Sequence, residues 1–153
     1  VALGLKDQAE LDEALKAMGD RFSGKDVSYV LMEHREPGRE LIVGATEAPG
    51  LGSLVMFGLG GVFVEVMKDV CFAVAPVSAP EAREMMRSIQ GYPLLEGARG
   101  EAGVDLPGLQ EMLVRVSRLA ADFESIVEMD LNPIFAYPAG TPPVAVDVRI
   151  KVR

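Results

Sequence analysis

Two stretches near the C-terminus alternate with a period of two, and they constrain the fold more than anything else in the chain. In Ile126-Val-Glu-Met-Asp-Leu-Asn-Pro133, Val127, Met129 and Leu131 fall on one face, and Glu128, Asp130 and Asn132 on the other. In Val144-Ala-Val-Asp-Val-Arg-Ile-Lys-Val152, Val144, Val146, Val148, Ile150 and Val152 share a face, opposite Asp147, Arg149 and Lys151. Such alternation marks a strand with one face on a core. A segment with Pro133, Pro138, Gly140, Pro142 and Pro143 joins the two, which predicts an antiparallel pair. Side by side, their polar faces gather Glu128, Asp130, Asn132 and Asp147. Oxygen ligands concentrated on a rigid sheet suit a hard divalent ion such as Mg²⁺. The solvated outer face of an edge hairpin has the same periodicity, so alternation alone leaves both readings open.

Composition narrows the class. The 153 residues suffice for one domain with a real core. A net charge of −8 argues against nucleic acid or an anionic membrane as the main partner. One cysteine, Cys71, excludes an intrachain disulfide and a multi-Cys metal site, and one histidine, His34, excludes a His-rich one. Cys71 lies in a Val-Cys-Phe-Ala-Val run and reads as a core residue. The longest uncharged run, Ala48 to Val64, contains Pro49 and five glycines and is too broken to span a membrane as a helix. The N-terminus lacks the basic-then-apolar layout of a signal peptide. A cytoplasmic setting is expected. Because the chain begins at Val1, it is expected to be a segment of a longer or processed polypeptide.

Helix signals are local and clear. Asp7 with Glu10 opens a helix whose stripe is Leu11, Ala14, Leu15, Met18 and Phe22. Ser78, Pro80 and Glu81 form a second helix start, with Ala82, Met85, Met86 and Ile89 as the buried stripe and Gly91 as the stop. Asp105 and Pro107 open a third, with Leu109, Met112, Leu113, Val116, Leu119 and Ala120 facing inward. Between the first two, Val27–Glu33 and Arg39–Ala45 predict a hairpin around a charged turn. Leu54–Phe57 and Val62–Val66 predict strands flanking Gly58-Leu-Gly-Gly61, and Val70–Ala75 a further strand. Lys68-Asp69 reads as a turn, and Tyr92–Gly100, with Glu96 and Arg99, as a glycine-rich loop. The glycines of 58–61 match neither a P-loop nor a dinucleotide fingerprint. They suit a tight hairpin or a nest of backbone amides for phosphate. Helix, antiparallel strands, two helices and an antiparallel pair define an α+β fold rather than a doubly wound sheet.

Five strings, in order and spacing, then carry a resemblance: Pro37-Gly-Arg-Glu-Leu-Ile-Val-Gly44, Met56-Phe-Gly-Leu-Gly-Gly-Val-Phe-Val-Glu-Val66, Tyr92-Pro-Leu-Leu-Glu-Gly-Ala-Arg-Gly100, Met129-Asp-Leu-Asn-Pro133 and Ala145-Val-Asp-Val-Arg-Ile150. The chain resembles, over nearly its whole length, the ATP-grasp domain of the NDP-forming acyl-CoA synthetases. These include the ADP-forming acetate–CoA ligases and, more distantly, the succinyl-CoA synthetase β-subunit. The resemblance implies an ATP-grasp-like antiparallel sheet packed with helices, with residues 1–153 as the C-terminal portion of the unit. The lysine and lid subdomain and the shuttle-histidine segment would lie upstream.

Residue by residue, the resemblance implies that Asn132 and Asp147 bind the Mg²⁺ that bridges the phosphates of ATP or ADP. Asp130 would help place the partner's phosphohistidine segment. Glu33 matches the acidic residue of the adenine-side hinge, which His34, Arg35 and Glu36 would line, and Glu40 a second nucleotide-contacting glutamate. Gly60, Gly61 and Glu65 match a Gly-Gly-x-x-x-Glu segment. His34 departs from an apolar position of the family, Ala73 from a basic one and Ala98 from an aromatic one. The implied activity interconverts acyl-CoA, ADP and phosphate with the carboxylic acid, CoA and ATP, through acyl phosphate and phosphohistidine. It requires a CoA-binding ligase domain or subunit, and an oligomer is expected. A similar module fused to acetyltransferases implies the alternative, a regulatory ligand-sensing domain without ligase turnover.

Overall fold

Leu41 to Ala45 is an unbroken buried run, and the main sheet is built outward from it. The computed structural model describes residues 1–30, 35–61, 68–98 and 100–153. The chain divides into two compact units, Val1–Glu36 and Pro37–Arg153.

The first unit carries helix α1, Gln8–Arg21. Its N-cap is Asp7, whose carboxylate accepts from the Glu10 amide at 2.9 Å, as the sequence predicts. The Glu10 side chain reaches back to the amide of Lys6, at 2.8 Å, one residue further than a standard capping box requires. No residue of α1 is buried, and Leu15 of the predicted stripe is exposed. The strand expected over Val27–Glu33 does not form across 27–30, which carry no regular structure, and 31–34 lie outside the described residues.

The second unit is a sheet with helices on one face. Its strands are β1 (Arg39–Ala48), β2 (Gly52–Leu59), β3 (Val70–Val74), β4 (Ile126–Ala136), β5 (Val144–Ala145) and β6 (Val148–Val152). Its helices are α2 (Ala79–Ser88), α3 (Tyr92–Glu96) and α4 (Leu106–Asp122). The strand order is β3-β2-β1-β4-β5, with β6 also on β4, and every pairing is antiparallel. This is the α+β architecture expected. The hairpin partner of β1 is β2. The Tyr92–Glu96 part of the expected glycine-rich loop is helical, started by Pro93 in its first turn.

Helix α4 packs on β1, β2 and β4, and α2 on β3, β2 and α4. Their shared core contains Leu41, Val43, Phe57, Met86, Leu109, Leu113, Met129, Leu131 and Ile134. The stripe of α2 is therefore the one the spacing predicts; in α4, Leu109, Leu113, Val116 and Ala120 are buried as expected, but Met112 is half-buried and Leu119 exposed. Ser78 and Glu81 form the full capping box. The Glu81 carboxyl is held below its usual range by the Ser78 hydroxyl first and the Ser78 amide second. A lowered carboxyl contributes above its ordinary pKa and ceases to as pH falls through the lowered value.

One buried hydroxyl joins the layers. Ser117, fully buried in α4, accepts from the Val77 amide at 3.1 Å and donates to the Val114 carbonyl at 2.9 Å. Ser117→Ala leaves the buried Val77 N–H without that acceptor. The expected loss is about 1–3 kcal/mol, read as a lower urea midpoint with an unchanged m-value.

Candidate functional site

The alternation of β4 holds up to Asn132 and then changes phase. Met129 and Leu131 are buried, and so are Ile134 and Ala136, so two consecutive residues, Asn132 and Pro133, separate one inward set from the next. The register against β1 shifts at the same place, between Leu41 and Val43. Proline has no N–H for the ladder, and an irregularity of this kind re-aims side chains. The strand does not end at Pro133 as expected but runs three residues further, to Ala136.

The opposite strand breaks there too. The predicted continuous strand Val144–Val152 is two strands, β5 and β6, separated by Val146 and Asp147. The Asn132 amide donates to the Asp147 carbonyl at 3.1 Å, and the Val146 amide donates to the Pro133 carbonyl at 2.9 Å. Asn132 and Asp147, the two residues expected to hold a metal, are thus opposite each other in the register that β5 and β6 share on β4. Both are exposed.

The remaining carboxylates of this face are not unmatched. Register places Arg149 opposite Asp130 and Lys151 opposite Glu128. Register thus sets a basic residue opposite each of these two carboxylates, while Asn132 and Asp147 face each other. Among the described residues, no group of three His, Cys, Asp or Glu side chains converges as a metal cage. An Asn–Asp pair fits a different kind of ion site. Mg²⁺ keeps several waters and takes one or two protein oxygens plus substrate phosphates. Asp147 also lies 3.5 Å from the Arg149 guanidinium, with the aspartate side chain 52% exposed. A carboxylate has about four lone-pair sites, so this loose ion pair leaves acceptor capacity for a cation.

A second cluster lies at the end of β1 and β2. A cavity of about 300 Å³ is lined by Arg39, Glu40, Leu59, Gly60, Gly61 and Leu94, among others. It brings together Glu40, Gly60 and Gly61 of the expected site. The Gly60 amide donates to the Glu40 carbonyl at 2.8 Å. A Cβ on Gly60 would lie 2.8 Å from the Glu40 carbonyl carbon and the Leu41 nitrogen, so only glycine permits this approach. The Glu40 Oε2 lies 2.5 Å from where a Cβ on Gly61 would be, which places the carboxylate over the Gly-Gly turn.

Asn132, Asp130 and Asp147 do not line this cavity. Arg35 and Glu36 are exposed at the end of the first unit. Glu33, His34, Glu65 and Arg99 lie outside the described residues. Four cavity residues, Gly38, Arg39, Leu59 and Leu94, are not among the site residues expected from the sequence. Arg39 lines this cavity and a neighbouring one of about 360 Å³, and its guanidinium pairs with Glu101 at 2.7 Å. Leu59 and Leu94 supply the apolar wall. Only the place of Arg39 beside Glu40 was available as a signal.

An antiparallel sheet with helices on one face, an Asn–Asp pair across two strands and a glycine-lined cavity at the strand ends define an α+β domain with two candidate sites. The chain belongs to the ATP-grasp domain family, whose model matches residues 1–152. It is 49% identical over 119 residues to the β-subunit of the ADP-forming acetate–CoA ligase II of Pyrococcus furiosus, covering 77% of this chain and 50% of that subunit. It is 42% identical to the β-subunit of acetate–CoA ligase I from the same organism, covering 98% of this chain and 66% of that one. The chain thus spans between half and two-thirds of these relatives. Among solved structures, an acetyl-coenzyme A synthetase of Candidatus Korarchaeum cryptofilum, in complex with coenzyme A and Mg-AMPPCP, superposes with a TM-score of 0.87. It is 39% identical, and the match covers 99% of this chain and 67% of that one.

Gly60→Ala tests the geometry of the cavity. Its two nearest neighbours are backbone atoms that cannot rotate away. The expected destabilisation is about 1–3 kcal/mol, measured by chemical denaturation.

Proposed function

We propose that this chain is the C-terminal portion of the ATP-grasp unit of an NDP-forming acyl-CoA synthetase. The parent reaction interconverts acyl-CoA, ADP and phosphate with the carboxylic acid, CoA and ATP, through acyl phosphate and a phosphohistidine. The observation that carries this reading is the facing of Asn132 and Asp147 across the ladder. The 49% identity to an acetate–CoA ligase β-subunit supports the choice of reaction.

Asn132 and Asp147 would hold Mg²⁺ through the amide oxygen and the carboxylate. Bound there, the ion would offset phosphate charge, the main requirement of phosphoryl transfer. Glu40, over the Gly60–Gly61 turn, accepts hydrogen bonds from the donors of a bound nucleotide. By resemblance, Asp130, on the same strand as Asn132, would help place the partner's phosphohistidine segment. By resemblance, Glu33, His34, Arg35 and Glu36 line the adenine side, and Glu65 completes the Gly-Gly-x-x-x-Glu segment. The CoA chemistry belongs to a partner domain or subunit, assembled with this one as an oligomer. The setting is cytoplasmic, consistent with a lone cysteine. No helix among the described residues is long and apolar enough to cross a membrane.

Calorimetric titration of Mg-ADP into the full-length parent protein tests this reading. Binding by the wild type, weakened by at least about 100-fold in the Asn132→Ala, Asp147→Ala double variant, is the expected result. Equal binding by the two proteins, or none by the wild type, would remove the basis for the site. Turnover of acetyl-CoA, ADP and phosphate by the full-length protein separates a ligase from a ligand sensor.

A further inference from the structure

Asp69 is a buried carboxylate for which the site described above has no use. It is 5% exposed. Its Oδ1 accepts from the Gln90 amide and its Oδ2 from the Gly91 amide, both at 2.7 Å. Two consecutive backbone amides converging on one anion form a charge-assisted clamp. The partners lie 21 and 22 residues away, at the turn between α2 and α3. The residue before it, Lys68, has φ +49°, a region that non-glycine residues rarely adopt and that persists only where the surroundings impose it.

The clamp reaches the cavity from behind. Gly91 lies against Leu59, so closely that a Cβ on it would collide with Leu59 Cδ1 and come within 3.0 Å of Asp69 Oδ2. On the β2 side, a Cβ on Gly58 would sit 2.5 Å from the Asp69 carbonyl oxygen. Asp69 therefore ties the end of β2, which leads into Gly60–Gly61, to the turn that carries Leu94 at the start of α3. Leu59, Gly60, Gly61 and Leu94 are four of the residues that wall the cavity beside Glu40.

We infer that Asp69 is a positioning residue for the nucleotide site: by clamping the Gln90 and Gly91 amides it sets the spacing between the Gly60–Gly61 turn and the Leu94 wall. The inference rests on the nucleotide reading given above. Asp69 touches no ligand in this account and acts through the backbone. A carboxylate is required, because an asparagine would present an N–H donor to one of the two amide donors.

Asp69→Asn is compared with Ser117→Ala, a similarly buried hydrogen-bonding residue that does not line the cavity. Each protein, as the full-length parent, is titrated with Mg-ADP, and its amide hydrogen exchange is followed residue by residue. The expected result for Asp69→Asn is at least about tenfold weaker Mg-ADP binding. Exchange at Gly60, Gln90, Gly91 and Leu94 should accelerate beyond any change in the β1–β4 ladder. Ser117→Ala should bind as wild type. If Asp69→Asn loses no more affinity than Ser117→Ala, or if its exchange rises uniformly, Asp69 is merely structural and the inference is overturned. If the wild type itself binds no Mg-ADP, the nucleotide reading fails first and the inference with it. Should Asp69→Asn not fold, Gly91→Ala decides. It displaces the same wall with the carboxylate in place, and wild-type affinity in that variant would refute the inference.

Discussion

The ladder between β1 and β4 is the interaction on which the rest of the second unit depends. β1 is buried from Leu41 to Ala45 and is flanked by β2 and β4. A central strand in that position has no solvent to satisfy its amides and carbonyls, so both neighbours must be in register. Val43 pairs with Leu131 and Ala45 with Met129, which puts the inward side chains of both strands under α4. Everything outward from this pair, including β3 on one side and β5 and β6 on the other, inherits its register.

The same ladder explains why the candidate site is where it is. The partner strands keep one register on β4 from Leu131 to Phe135, so the outward Asn132 lies opposite Asp147. Pro133 interrupts the donors, the phase of β4 slips, and β5 and β6 separate at Val146 and Asp147. The two metal-ligand candidates meet because that register carries through, and Pro133 removes only a donor beside them. The glycine cluster uses the opposite device, close approach. Gly60 lets the end of β2 lie against the backbone of Glu40, and the carboxylate then covers the turn. A rigid ladder thus supports a local irregularity and a local close contact, each specified by a single residue type.

Burial shows how far periodicity can mislead. β6 alternates cleanly in sequence, yet Val148 is 50% exposed, Ile150 49% and Val152 61%. These residues do lie on the helix-covered side, opposite Leu131, Met129 and Ile126. The main contacts of α4 are with β1, β2 and β4, so the helical layer gives β6 little cover. Alternation reports which residues share a face. It does not report whether another layer reaches that face. The stripe of α1 teaches the same lesson, since its spacing is helical but none of its residues is buried.

The sequence by itself determined the local elements: the capped starts of α1 and α2, the inward stripe of α2 and most of that of α4, the alternation of β4 up to Asn132, and the α+β class. These depend on interactions within a few residues, which spacing records directly. It also determined the family, because five short strings in register are improbable together. The tertiary structure alone decided which strands pair, and so made β2 the hairpin partner of β1. It decided that Arg149 and Lys151 oppose Asp130 and Glu128, and that Arg39 meets Glu101 across 62 residues. It turned Lys68-Asp69 from an apparent turn into an anchor for a helix connection 21 residues away. The physical reason is common to all of these. A hydrogen bond or ion pair between distant residues leaves no periodic trace in the chain, and its partner is chosen only when the layers pack.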